Sequence, residues 1–169
     1  TPPTLSRAMS QYIVEYTDTV RPEWIDSNGH MNLAYYVVVF DLGTDRLYDA
    51  LGIGNAYREA TGNSCFTAET HTLYEREVTV GEKLRVATTL LDADAKRLHY
   101  FHEMFHAAEG HRVAAQELLA LHIDMRVRRV APFPPDRLAA IEAALRAQGD
   151  RPAPPGVGRT IRSLAPAAA

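Results

Sequence analysis

At 169 residues, 46% hydrophobic and 23% charged, the chain has the composition of a single globular domain with a sizeable core. A net charge of −3 gives no electrostatic footprint for nucleic acid, and a lone cysteine, Cys65, excludes an internal disulfide and suits a reducing compartment. No segment reads as a signal peptide, and the longest apolar run is far short of a membrane span, so a cytoplasmic protein with no membrane partner is expected.

Residues 1–11 read as a loose N-terminal arm. Over 12–20, Tyr12, Val14 and Tyr16 alternate with Ile13, Glu15 and Thr17, the period of a strand, and Pro22 then interrupts pairing. A dense polar cluster follows, Trp24-Ile25-Asp26-Ser27-Asn28-Gly29-His30-Met31-Asn32. Asn32 is placed to cap a helix over 33–51, ended by Gly52. The run Val37-Val38-Val39 has poor helix propensity, so burial must hold this helix. Apolar residues occur nearly all round it (Tyr35, Tyr36, Val38, Val39, Phe40, Leu42, Leu47, Leu51), which predicts a helix wrapped on every side.

A loop is expected over 53–64. The period then falls to two, with strands expected over 65–78, 83–91, 97–107 and 112–127. Short turns join them at Val80-Gly81-Glu82, Asp92-Ala93-Asp94-Ala95 and Ala108-Glu109-Gly110, which predicts an antiparallel meander. Pro134-Pro135 introduces an Ala-rich helix over 136–148, and residues 149–169 read as a linker-like or disordered Pro/Ala-rich tail. The class is therefore α+β: a long antiparallel sheet wrapped around one central helix, plus a C-terminal helix, in one domain over 12–148. Such a unit leaves strand edges uncovered, so a homodimer or homotetramer is expected.

The polar cluster carries the chemistry. A carboxylate, two amides and an imidazole sit in one turn that opens a helix, where backbone N–H groups lack partners and can receive an oxyanion. The plain alternative is an ordinary turn, since Asp and Asn form Asx-turns and Gly accepts positive φ. The arrangement Asp26-x-Asn28-x-His30-x-Asn32 before a helix resembles the active-site segment of hotdog-fold acyl thioesterases. Versions of it occur in the 4-hydroxybenzoyl-CoA thioesterase group and in plant acyl-carrier thioesterases. Further stretches are similar to the betainyl-CoA thioesterases of carnitine breakdown, some of them fused to carnitine dehydrogenase. These are Phe66-Thr67-Ala68-Glu69-Thr70-His71, Tyr74-x-Arg76-Glu77-Val78 and Leu91-Asp92-Ala93-Asp94-Ala95-Lys96-Arg97-Leu98-His99, with Trp24 and Ala131-Pro132-Phe133-Pro134. The resemblance covers residues 12–135.

It implies hydrolysis of an acyl-CoA thioester to free acid and CoA, with betainyl-CoA the favoured substrate and no separate cofactor. It implies Asp26 as general base or nucleophile, with Asn28 and His30 orienting water or donating to the carbonyl oxygen, and the amides around 30–33 as the oxyanion site. Gly29, Met31 and Asn32 fall in the same segment as substrate-binding candidates, although Asn32 also reads as a helix cap.

Glu69 and His71 lie two apart on a strand and share a face, so they complete the site or form a cross-strand ion pair on a solvated face. Glu117 shares a face with Val113, Ala115, Leu119, Leu121 and Ile123 and needs a partner there. A trimethylammonium group has no N–H and suits aromatic faces. Trp24, Tyr35, Tyr36, Phe66 and Tyr74 are candidates for it, or core residues. Lys96 and Arg97 are placed to meet CoA phosphates, or form a solvated turn. Only His102 and His106 share a strand face, about 13 Å apart, too far for one metal ion. Two other functions compete. A hotdog enoyl-CoA hydratase would show Asp-x-Asn-Pro-x-His, whereas Gly29 stands at the Pro and His30 comes one residue early. A non-catalytic acyl-CoA-binding module would need an effector domain.

Overall fold

The structure is a computed structural model, and it describes residues 12–162. In chain order it contains β1 (Val14–Thr19), a single 3-10 turn (Pro22–Trp24), α1 (Leu33–Ala50), α2 (Asn55–Thr61), β2 (Asn63–Tyr74), β3 (Lys83–Ala93), β4 (Arg97–His106), β5 (Arg112–Asp124), β6 (Arg129–Val130) and α3 (Pro135–Gln148). The expected loose arm at 1–11 lies outside the described residues. No described helix is long and apolar enough to cross a membrane.

All pairings are antiparallel, in the order β1-β3-β4-β5-β2, with the short β6 beside β5. Strands β3, β4 and β5 form the expected meander, but β2 does not join it through β3. It pairs with β5, from Asn63 opposite Asp124 to Tyr74 opposite Ala114. The Val80-Gly81-Glu82 turn therefore closes no hairpin with β2. It docks on the end of β1, where Gly81 N donates to Val20 O and Val20 N donates to Glu82 O, both at 2.9 Å. Period-two alternation sets which side chains share a face but not which strand lies alongside.

One face of the sheet carries α1. Leu84, Val86, Thr88 and Leu90 of β3 and Leu98, Tyr100, His102 and Met104 of β4 are buried on it. Phe40 of α1 stacks on His102 with ring centroids 5.7 Å apart. Gly43 permits the close approach, because a Cβ there would lie 3.0 Å from Val86 Cγ1. Around the first half of α1 the core contains Trp24, Met31, Tyr36, Val39 and Phe40; around the second half, Leu47, Leu51, Tyr57, Tyr100 and Ile141. Ile141 brings α3 onto the same core.

The expectation of a helix wrapped on every side fails in the single chain. Leu33 is 61% exposed, Val37 40% and Val38 43%, while Tyr36, Val39, Phe40 and Leu47 are buried. The apolar residues on the outward face find no cover within the chain. The loop expected at 53–64 instead holds α2, whose Tyr57 hydroxyl meets His122 Nε2 at 2.8 Å. Seven residues with one buried side chain leave little periodic signal.

The tail also departs from its linker-like reading. Arg112 Nη1 donates to Pro155 O, and Gly158 N donates to Glu117 Oε2, both at 2.7 Å. Gly156 lies against Leu73, Phe101 and Arg112. Residues 155–158 therefore cross the sheet face opposite α1.

A buried polar chain ties α1 to the sheet. His102 Nε2 meets Thr44 Oγ1 and its Nδ1 meets Thr88 Oγ1, each at 2.8 Å. Thr44 then reaches Tyr100, and Tyr100 reaches Tyr48, each at 3.3 Å. Burial pushes the His102 pKa down from 6.5 to about 3. The folded protein thus holds a neutral imidazole where the unfolded chain takes up a proton. The contribution is complete above pH 6.5 and is lost as pH falls toward 3. The unfolding free energy from denaturant titrations between pH 7 and 4 is expected to fall by up to about 1.4 kcal/mol per pH unit from this group alone. A His102→Asn variant is expected to show a shallower slope; an unchanged slope overturns the assignment.

Candidate active site

The turn before α1 is tied down by its own backbone. Ile25 and Met31 form an antiparallel bridge, Asp26 N donates to His30 O at 3.1 Å, and Gly29 N donates to Asp26 O at 3.0 Å. Gly29 sits at φ +80° with open space around it, so backbone conformation rather than room favours glycine there. Asn32 N donates to Trp24 O and Met31 N to Val78 O, both at 2.9 Å.

Within this frame Asp26 is held at both oxygens. Asn28 N donates to Oδ1 at 2.8 Å and Asn32 Nδ2 to Oδ2 at 3.3 Å. Asn32 Oδ1 accepts from Ala34 N at 3.0 Å and so caps α1 as expected. One amide thus links the carboxylate to the helix start, which leaves Asn32 a positioning group rather than a free substrate contact. The N–H groups of Met31 and Asn32 are committed to Val78 and Trp24, whereas those of His30 and Leu33 have no acceptor among the described residues. The amides expected at 30–33 therefore reduce to two without an internal acceptor, one at the first residue of α1 and one just before its cap.

His30 Nδ1 lies 3.1 Å from Glu77 Oε2. The segment carrying Glu77 is fastened across the turn. Tyr36 Oη donates to Arg76 O at 3.1 Å, Met31 N to Val78 O at 2.9 Å, and Thr79 Oγ1 to Gly29 O at 3.4 Å. Burial raises the Tyr36 pKa, which keeps the hydroxyl a donor. Glu77 also borders a groove of about 540 Å³ with Glu75, Arg76, Glu82 and His106. Asp26 is half-buried and lies at the surface beside α1, outside that groove.

Trp24 and Met31 are buried beneath the turn, 5% and 4% exposed. Tyr35 stacks on Trp24 at 5.5 Å, and the Arg21 guanidinium lies over the same indole at 4.9 Å. The indole is already engaged and does not offer a face to a substrate cation. Met31 is core.

Phe66, Glu69, His71 and Arg97 stand apart from this cluster. Their register partners put Phe66, Glu69 and His71 opposite Leu121, Leu119 and Glu117, on the sheet face away from α1. A bulge between Thr67 and Glu69 brings the even-numbered Phe66 onto the same side as Glu69. There Glu69, His71 and Arg97 border a cavity of about 390 Å³ with His99, Glu117 and Gly158. Glu117 finds its partner in His99 Nε2 at 2.7 Å. Arg97 binds Asp94 at 2.6 Å, and Lys96 is exposed in the same β3–β4 turn. Within one chain, then, the sheet separates Glu69 and His71 from Asp26. Glu77 was named in the sequence only as part of a resembling stretch. Its 47-residue distance from His30 leaves no local signal of their contact.

Comparison with known proteins gives the family. The chain is 40% identical over 153 residues to the betainyl-CoA thioesterase of Pseudomonas aeruginosa, covering 90% of this chain and 96% of that protein. It is 34% identical to the L-carnitine dehydrogenase/betainyl-CoA thioesterase of Rhizobium meliloti, over 84% of this chain but only 28% of that longer protein. A hypothetical protein of Staphylococcus aureus, solved in complex with CoA, superposes with a TM-score of 0.82 at 30% identity, covering 88% of this chain and 94% of its own. The model of the thioesterase-like superfamily matches residues 20–141. Joined to a curled antiparallel sheet with α1 on one face, these matches establish that the chain belongs to the thioesterase-like superfamily and is a hotdog-fold thioester hydrolase.

Proposed function

We propose that the protein hydrolyses betainyl-CoA to glycine betaine and CoA, with Asp26 as the reacting carboxylate. The observation that carries this reading is the Asp26 side chain, fixed through Asn28 N and Asn32 Nδ2 beside the N-terminus of α1. Each carboxylate oxygen accepts one N–H and keeps a lone pair for chemistry. Asp26 removes a proton from water as the water oxygen bonds to the thioester carbon, or bonds to that carbon itself to give an anhydride that water then opens. Either way the C–S bond breaks, CoA leaves as thiolate, and the proton released by water ends on the products. The free N–H groups of His30 and Leu33 stabilise the oxygen as it gains charge. CoA enters as part of the substrate, and the chemistry draws on no further cofactor.

The exposed Leu33, Val37 and Val38 of α1 and the open edge of β2, with Tyr74 47% exposed, support a homo-oligomer in which a second copy covers the acyl group. A cytoplasmic location, where acyl-CoA esters form, accords with the single free thiol of Cys65. The test is a panel of acyl-CoA esters followed with a thiol-reactive dye. Betainyl-CoA is expected to exceed acetyl-CoA in kcat/KM by about tenfold or more, the scale of one desolvated cation contact. Equal values for the two esters remove the specificity.

A further inference from the structure

We propose that Glu77, with the ring of Tyr74 at the end of β2, receives the positive charge of the acyl group and sets the preference for a trimethylammonium acyl chain. The inference rests on the thioesterase reading above and adds to it the residues that recognise the acyl end.

Size limits the search. In a betainyl thioester one methylene separates nitrogen from the carbonyl carbon, so the two lie about 2.5 Å apart. Whatever binds the cation must therefore stand next to the atom that Asp26 attacks. The stripe of Asp41, Asp45 and Asp49 along α1 borders a cavity of about 480 Å³, but Asp41 is eight residues into the helix, about 12 Å from its start. The cavity holding Glu69 and Glu117 lies on the other face of the sheet. Neither reaches.

The aromatic candidates narrow in the same way. Trp24 is engaged by Tyr35 and Arg21, Tyr36 is buried with its hydroxyl on Arg76 O, and Phe66 is on the far face. Tyr74 meets Tyr36 edge-on at 5.4 Å and leaves nearly half its surface open. Three residues on, Glu77 touches His30 at 3.1 Å, and the hydrogen bonds from Tyr36, Met31 and Thr79 fix this connection against the active-site turn. A quaternary ammonium donates no hydrogen bond, so it is held by an aromatic face and by an anion at contact distance. Glu77 supplies the anion, held on His30, whose backbone carbonyl accepts from Asp26 N, and Tyr74 supplies the ring, set against Tyr36 of α1.

The test uses two thioether analogues of CoA that cannot be hydrolysed. One ends in a trimethylammonium group and the other in a tert-butyl group of the same shape. Dissociation constants by calorimetry read the receptor, independently of turnover. The wild-type protein is expected to bind the cationic analogue roughly tenfold more tightly than the neutral one. Glu77→Gln is expected to bring the ratio close to one, and Tyr74→Leu to lower it. Glu77 is exposed, so its replacement leaves the core untouched. A ratio unchanged in Glu77→Gln overturns the proposal. Absence of hydrolysis with an intact ratio would instead count against the thioesterase reading alone.

Discussion

Replacing Asp26 by Asn is expected to lower kcat for thioester hydrolysis about a thousandfold, near 4 kcal/mol of transition-state stabilisation. The substitution is nearly isosteric. Asn retains an oxygen for Asn28 N, so the turn and the cap at Asn32 persist. What is lost is the negative charge and the basic, nucleophilic oxygen at the head of α1. Thiol release measured under single-turnover conditions gives the rate, and circular dichroism gives the fold. Turnover like that of the wild type in a folded Asp26→Asn protein would end the assignment of this carboxylate.

The largest effect on stability is expected at Phe40. Its ring is 0% exposed and stacks on His102 where α1 crosses the sheet. Phe40→Ala removes that contact and leaves a cavity under a helix whose opposite face has no cover, at a cost of about 3–5 kcal/mol. For a domain of this size the melting temperature is expected to drop by about 10 °C. A thermal melt at pH 7 decides it, because His102 is neutral there and adds no charge to the comparison. A drop of less than about 3 °C would mean that the helix does not seat on the sheet through this ring.

The features legible in the sequence are ones set by near neighbours. The cap at Asn32, the helix end near Gly52 and the alternation along β3, β4 and β5 each depend on neighbours a few residues away. The Asp26 turn was legible for the same reason: its Asx contact, its positive-φ glycine and its cap all fall within nine residues. Glu117 was read as needing a partner, and His99 is that partner.

Apart from α2, too short to carry a periodic signal, what failed depends on distant pairing. The strand beside β2 is β5, some fifty residues later, and alternation alone carries no address for it. The wrapped helix failed because an apolar face reports only that something covers it, not that the same chain does. Glu69 and His71 do share a face, but residue spacing does not say which side of the sheet that is. Trp24 has the chemistry for a cation, yet Tyr35 and Arg21 already use its ring.

The segment pinned by Arg112 and Glu117 has a practical consequence for anyone shortening the gene. A stop codon placed after Gln148, where composition suggests the folded unit ends, would strip the sheet of a strip of chain that shields Phe101 and Leu73. Bared oily surface of that kind invites clumping during expression. A safe truncation point therefore lies beyond Thr160, and a purification handle fused there would trail from the back of the molecule, away from the Asp26 side.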